Sequence, residues 1–127
     1  MTSPYGHMDI RVRDLDAALP FYEALMPALG FTQTYHGGGW MVWATTMELP
    51  GASYFGIIES AGHVPNENRV AFWAASAQEV DRLAEVVRDA GATELSGPKE
   101  MPYTPGYYAV YFADPSGNRY EIYVRPA

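Results

Sequence analysis

Cysteine is absent from the 127 residues. Its absence removes disulfides, thiolate metal sites and cysteine nucleophiles together, and it accords with a cytoplasmic setting. Positive charge is scarce: eight Lys and Arg against fifteen Asp and Glu leave a formal net charge of -7. A protein that tracks a nucleic-acid backbone needs a basic patch, and none is visible, so no nucleic-acid partner is expected. No apolar run approaches the roughly 18 residues that would span a bilayer. The N-terminus, MTSPYGHMDIRVRD, lacks the basic-then-apolar order of an export signal. The expectation is a soluble, cytoplasmic chain without a membrane partner. Nucleophile-elbow, phosphate-loop and dinucleotide patterns are also missing. Gly37-Gly38-Gly39 has neither the lysine nor the following helix of a P-loop and reads as a hairpin turn.

What is there is a core. Hydrophobic residues make up 48% and charged residues 18%, which excludes disorder, and the length suits a single domain over 1–127. From His7 to Arg13 the chain alternates, Met8, Ile10 and Val12 on one side and His7, Asp9 and Arg11 on the other, as in a half-buried strand. Residues 16–29 predict a helix with Ala17, Leu19 or Phe21, Leu25 and Leu29 on one face. Pro20 is tolerable only near the first turn, and Pro27 is expected to kink or end the helix before Gly30. Apolar stretches at roughly 31–36, 40–46 and 53–59 are divided by His36–Gly39 and by Leu49-Pro50-Gly51.

The order then restarts. Arg69–Ala74 is strand-like, with Val70 and Phe72 opposite Arg69, Ala71 and Trp73. Ser76–Glu79 is a capping box opening a helix over 77–90, with Val80, Leu83, Val86 and Val87 on one face and Gly91 at its end. A Gly- and Pro-rich passage, SGPKEMPYTPG, leads to a strand over 107–113. Asp114–Asn118 turns the chain, and Arg119–Arg125 is the last strand. The pattern is strand–helix–strands, twice, with modules at about 5–60 and 69–125. His7 to Glu59 and Arg69 to Glu121 each span 52 positions, which suggests that these four residues correspond.

The opening (His7 in a first strand, Asp14-Leu15 before a helix, Phe21-Tyr22, then Leu29-Gly30-Phe31) resembles the vicinal oxygen chelate superfamily of glyoxalase I, bleomycin-resistance proteins and extradiol dioxygenases. The closing run Pro105-Gly106-Tyr107-Tyr108, Asp114–Asn118 and Glu121 resembles its glyoxalase-like members. The resemblance implies an α+β fold of two βαβββ modules that form an open, barrel-like cup. It further implies a divalent metal (zinc, nickel, manganese or iron) held by the first and last strands of each module, here His7, Glu59, Glu121 and position 69.

Position 69 is an arginine, which cannot lose its proton and so cannot ligate a metal. The reading is therefore a cup without a resident metal that binds a small aromatic or carbonyl-containing molecule, with Arg69 as anchor and paired to Glu121. The alternative is a divalent-metal-dependent lyase or dioxygenase using His7 and Glu121, with Glu121 as the catalytic carboxylate. Ten tyrosines are an odd choice for a dry core, since each hydroxyl needs a partner. Trp73, Tyr107, Tyr111 and Tyr123 are expected to line the cup and Tyr103 to close over its mouth. His36 and His63 read as surface residues. Unprotected sheet edges, and the habit of relatives of this size, suggest a homodimer.

Overall fold

The computed structural model describes residues 4–45 and 51–125; the Leu49-Pro50 part of the second turn signal lies outside them. Ten elements follow in the order β1 (His7–Val12), α1 (Leu15–Ala28), β2 (Gln33–Gly37), β3 (Trp40–Ala44), β4 (Tyr54–Glu59), β5 (Arg69–Ala74), α2 (Ala77–Asp89), β6 (Thr93–Glu100), β7 (Tyr108–Ala113) and β8 (Arg119–Val124). The chain divides into two compact units, Met1–Val64 and Pro65–Ala127. Each is a βαβββ module with one four-stranded sheet, ordered β1-β4-β3-β2 in the first and β5-β8-β7-β6 in the second. In both, the first strand runs parallel to the last, and the other pairings are antiparallel. This is the α+β, twice-repeated architecture that the residue pattern implied.

In the first module, the Asp14 carboxylate caps α1 by accepting the Ala17 N–H at 3.0 Å. Glu59, at the end of β4, accepts the Leu15 N–H at 2.9 Å. Two of the helix's orphan donors are thus satisfied. The helix continues past Pro20 and runs one residue beyond Pro27, so neither proline breaks it; the stop comes from Gly30 at φ 100°. There Phe31 N–H reaches back to the Met26 carbonyl at 3.0 Å, the closure of a Schellman turn. The buried stripe is Ala18, Phe21, Tyr22, Leu25 and Met26. It is rotated from the predicted one, and Ala17 is exposed. The Tyr22 ring lies 6.1 Å from Phe55 and 6.2 Å from Trp43, so the helix-facing side of the sheet is an aromatic core.

The second module repeats this logic. Ser76 Oγ accepts the Glu79 N–H at 3.2 Å, but the Glu79 carboxylate turns to Arg82, so only half of the capping box forms. Val80, Leu83, Ala84 and Val87 are buried on the helix that packs against β5–β8. Gly91 at φ 102° ends it with the Ala92 N–H on the Val87 carbonyl at 2.8 Å. Phe112 and Tyr120 stack at 5.7 Å, and Phe72 lies 5.9 Å from Tyr120. Before β8, the buried Asp114 accepts the Ser116 and Asn118 N–H groups and the Asn118 amide, all at 2.9 Å. This turn sets the register in which Arg119 enters the sheet.

One expectation fails within the fold. Residues 96–100, read as irregular from their Gly and Pro, belong to β6. They remain in the sheet because β6 slips its register twice: Thr93, Ser96 and Lys99 oppose Ala113, Tyr111 and Ala109. Three residues of β6 are matched to two of β7 at each step, which is the signature of a bulge. Each extra residue is marked by a positive φ, Glu94 at 52° and Gly97 at 92°. A Cβ on Gly97 would come within 2.8 Å of the Ala109 carbonyl, so glycine is required there.

Candidate functional site

Because β5, β8, β7 and β6 are in defined register, the side of the second sheet away from α2 can be read as rows. The first row is Arg69, Arg119, Ala113 and Thr93; the second Ala71, Glu121, Tyr111 and Ser96; the third Trp73, Tyr123, Ala109 and Lys99. The alternation predicted for β5, β7 and β8 therefore holds: Arg69, Trp73, Tyr111, Glu121 and Tyr123 share one face. The chain closes over it with the segment that carries Tyr103 and Tyr107.

The polar contacts on this face differ from those expected. Arg69 does not pair with Glu121. Its guanidinium lies over the Tyr111 ring, 5.1 Å from the centroid, a cation–π arrangement. Glu121, buried, accepts a hydrogen bond from the Tyr107 hydroxyl. The reason is register. Arg69 is directly opposite Arg119, whereas Glu121 is opposite Ala71 and Tyr111, so an aromatic ring and a tyrosine hydroxyl reach the two charges first.

Burial raises the Tyr107 pKa above the ordinary tyrosine range, and the hydrogen bond to Glu121 reinforces the shift. Tyr111 is raised in the same direction by burial, then by the neighbouring Tyr103 hydroxyl and the Glu121 charge, with Arg69 opposing. Among the described residues the Tyr111 hydroxyl is nevertheless buried without a partner in hydrogen-bonding geometry. Tyr107 stacks on Tyr123 at 4.8 Å with an interplanar angle of 6°, and Tyr103 meets Tyr107 edge-on at 5.1 Å. Trp73, 54% exposed, lies under the Arg125 guanidinium at 5.1 Å.

A pocket of about 380 Å³ opens beside these groups, its walls including Arg69, Arg119, Lys99, Glu94, Tyr103 and Tyr111. Sequence reasoning missed Lys99 and Glu94, and set Arg119 on this face without naming it as a binding residue. Arg119 shares parity with Glu121 and was legible. Lys99 and Glu94 were not, because the two bulges of β6 replace a period of two with a period of three.

Within neither module does the metal-ligand set implied by the resemblance come together. Glu59 is in register with Val12, whereas His7 is in register with Tyr54, five residues earlier on β4 and therefore of opposite parity. Glu59 thus belongs to the other side of the sheet from His7, and its carboxylate is spent on the start of α1. The residue of β4 that corresponds to Glu121 is Gly56, opposite Asp9. The equal 52-residue spacing is therefore a coincidence: the two modules differ by three residues in the register of first strand to last. Glu121 holds Tyr107, Arg69 cannot ligate, and His7 lies 3.7 Å from the Asp9 carboxylate. Among the described residues no three His, Asp or Glu side chains are gathered as a metal site would require. His36 is exposed and His63 partly so, in keeping with surface positions.

Comparison with known proteins follows the geometry. The Glyoxalase/Bleomycin resistance protein/Dioxygenase superfamily profile matches residues 5–122. An uncharacterized protein of Pseudomonas aeruginosa is 30% identical, across 96% of this chain and 89% of its own length. The crystal structure of a glyoxalase/bleomycin resistance protein from Albidiferax ferrireducens superposes with a TM-score of 0.79 at 24% identity, covering 98% of this chain and 100% of that one. The genomically encoded fosfomycin resistance protein FosX of Listeria monocytogenes gives 0.72 at 18% identity, covering 99% and 96%. At these identities the structural matches speak to fold.

Proposed function

Starting from a chain that belongs to the Glyoxalase/Bleomycin resistance protein/Dioxygenase superfamily, we propose that it is a small-molecule-binding member whose ligand, aromatic or carbonyl-containing, seats on the open face of the second sheet. The fold hosts several chemistries, so the reading rests on the site. The observation that carries it is the pocket of about 380 Å³ in which Arg69 lies over Tyr111 and the Tyr111 hydroxyl finds no well-oriented partner among the described residues. A concave wall that sets Tyr103, Tyr111 and Phe112 among charged groups suits a ligand of modest size. An unpaired buried hydroxyl costs free energy until a polar ligand atom meets it. In this reading Arg69 holds the ligand's polar group, Tyr111 and Tyr103 flank its ring, and Tyr107, Tyr123 and Trp73 extend the aromatic floor. Glu121 orients Tyr107 and is a positioning residue. No step is routed through a metal, because Arg69 cannot ligate one and the Glu59 and Glu121 carboxylates are each held by a hydrogen bond.

Trp73 shares this face and is exposed, so tryptophan fluorescence tests the proposal. Saturable quenching by the neutral aromatic phenylnaphthylamine or by para-hydroxybenzaldehyde is expected. Trp73→Phe should remove most of the signal, and Arg69→Met should weaken the aldehyde by about tenfold, the worth of one charge-assisted contact. Absence of saturable quenching by both compounds refutes it. The proposal includes a homodimer: among the described residues the outer strands of each sheet, β1 and β2 or β5 and β6, pair on one side only, and such edges call for cover.

A further inference from the structure

We propose that the ligand of this pocket carries an anionic group (a carboxylate, sulfonate or phosphoryl group on an aromatic body) and that Arg119 and Lys99, with Arg69, select for it. This rests on the preceding reading of the pocket and adds the ligand's charge. In a protein with a net charge of -7, the pocket wall brings three cations, Arg69, Lys99 and Arg119, against one carboxylate, Glu94.

Two of the cations stand directly opposite each other on adjacent strands, Arg69 against Arg119. Like charges so placed repel and destabilise a sheet. An ion pair with an acid would relieve the repulsion. Yet the ion pairs among the described residues join His7 to Asp9, Arg82 to Glu79 and Arg88 to Glu85, and leave these two arginines out. Lys99 donates to Ser96 Oγ at 2.8 Å, a neutral partner that holds the ammonium in place without discharging it. The nearby carboxylate on the same face, Glu121, is occupied by Tyr107.

Backbone geometry supports the same conclusion. The two β6 bulges bring Lys99 into the same row as Trp73 and Tyr123. One bulge places Glu94, a residue with a Cβ, at φ 52°, where a side chain is strained and glycine would be the relaxed choice. Strain of this kind concentrates at ligand sites. Glu94 supplies the one negative charge in the wall, and thereby limits how tightly the three cations hold an anion.

A matched pair of probes tests this: anilinonaphthalene sulfonate and its uncharged counterpart, phenylnaphthylamine, both followed by fluorescence titration of the full chain. The sulfonate is expected to bind about tenfold tighter or more at low salt, with the advantage shrinking as ionic strength rises through one Debye length of the pair's separation. Arg119→Met and Lys99→Met should each cut the advantage severalfold while leaving the neutral probe's affinity within about twofold. Glu94→Gln should enlarge it, an outcome that a merely damaged fold would not produce. Equal affinity for the two probes overturns the proposal while the aromatic pocket stands. A sulfonate preference unchanged in Arg119→Met and Lys99→Met overturns it by placing the anion elsewhere. Binding of neither probe overturns this inference, and if para-hydroxybenzaldehyde also fails to bind, the reading beneath it falls too.

Discussion

Tyr107 and Glu121 form a polar pair on the open face, and each depends on the other. The carboxylate is buried, so removing its donor leaves a charge poorly solvated. Tyr107→Phe is expected to lower unfolding stability by about 1–3 kcal/mol in urea denaturation, and Glu121→Gln, which keeps an acceptor for the hydroxyl, to cost less. Tyr5, whose hydroxyl donates to the Tyr54 carbonyl, is pushed up to about 12 by burial and then by Asp9; Tyr107 and Tyr111 are raised as well. For such groups the folded state holds the proton more tightly than the unfolded chain does. Their contribution to stability is complete below about pH 10, the ordinary tyrosine value, and is lost as pH rises toward the folded-state values. Alkaline titration by phenolate absorbance should therefore show these tyrosines ionising later than exposed ones. Tyr107→Phe should remove one of the late group. Stability at neutral pH should be indifferent to their titration.

Among the elements, α1 shows how a residue of the right chemical type can serve structure instead of a site. Glu59 looks like a ligand by spacing, but its carboxylate takes the Leu15 N–H beside the Asp14 cap. Glu59→Ala is expected to cost about 0.5–2 kcal/mol of stability, the worth of an N-terminal cap, with aromatic-probe affinity unchanged; a thermal melt beside a fluorescence titration checks both. Strand β6 makes the complementary case. Gly97→Ala must place a Cβ against the Ala109 carbonyl at a positive φ. It should destabilise by more than about 1 kcal/mol and also weaken the sulfonate probe, because the second bulge is what brings Lys99 to the pocket.

For the molecule as a whole, the repeat sets the scale of organisation. Two modules of the same order each bury one helix against one side of a four-stranded sheet, so in each the other side is free of the module's own helix. In the second module that side carries the pocket, and in the first it carries His7, Asp9, Arg11 and Tyr54. The helices, at 14 and 13 residues, are too short to cross a membrane, and among the described residues no helix is long and apolar enough to do so. The proposed homodimer is checked by sedimentation at micromolar concentration, where a species of twice the chain mass is expected and a monomer would remove it.

Much of this protein was legible in its order of residues, for a definite reason. Alternation in β1, β5, β7 and β8, the helix of α2 and the stops at Gly30 and Gly91 are local periodicities and local backbone preferences, which neighbouring residues decide among themselves. They sufficed for the α+β repeat and for the shared face of Arg69, Trp73, Tyr111, Glu121 and Tyr123. What the chain order could not decide was pairing between strands distant in sequence. The parity of Glu59 relative to His7 depends on how β4 registers against β1, and a shift of one residue turns a side chain to the opposite side of a sheet. The partner of Arg69 depends on which residue of β8 stands opposite it, and Lys99 and Glu94 depend on two bulges in β6. Register is set by turns, packing and hydrogen bonds across the sheet, and so the face was readable one strand at a time, while its charge pairs and its pocket were decided only when the strands came together.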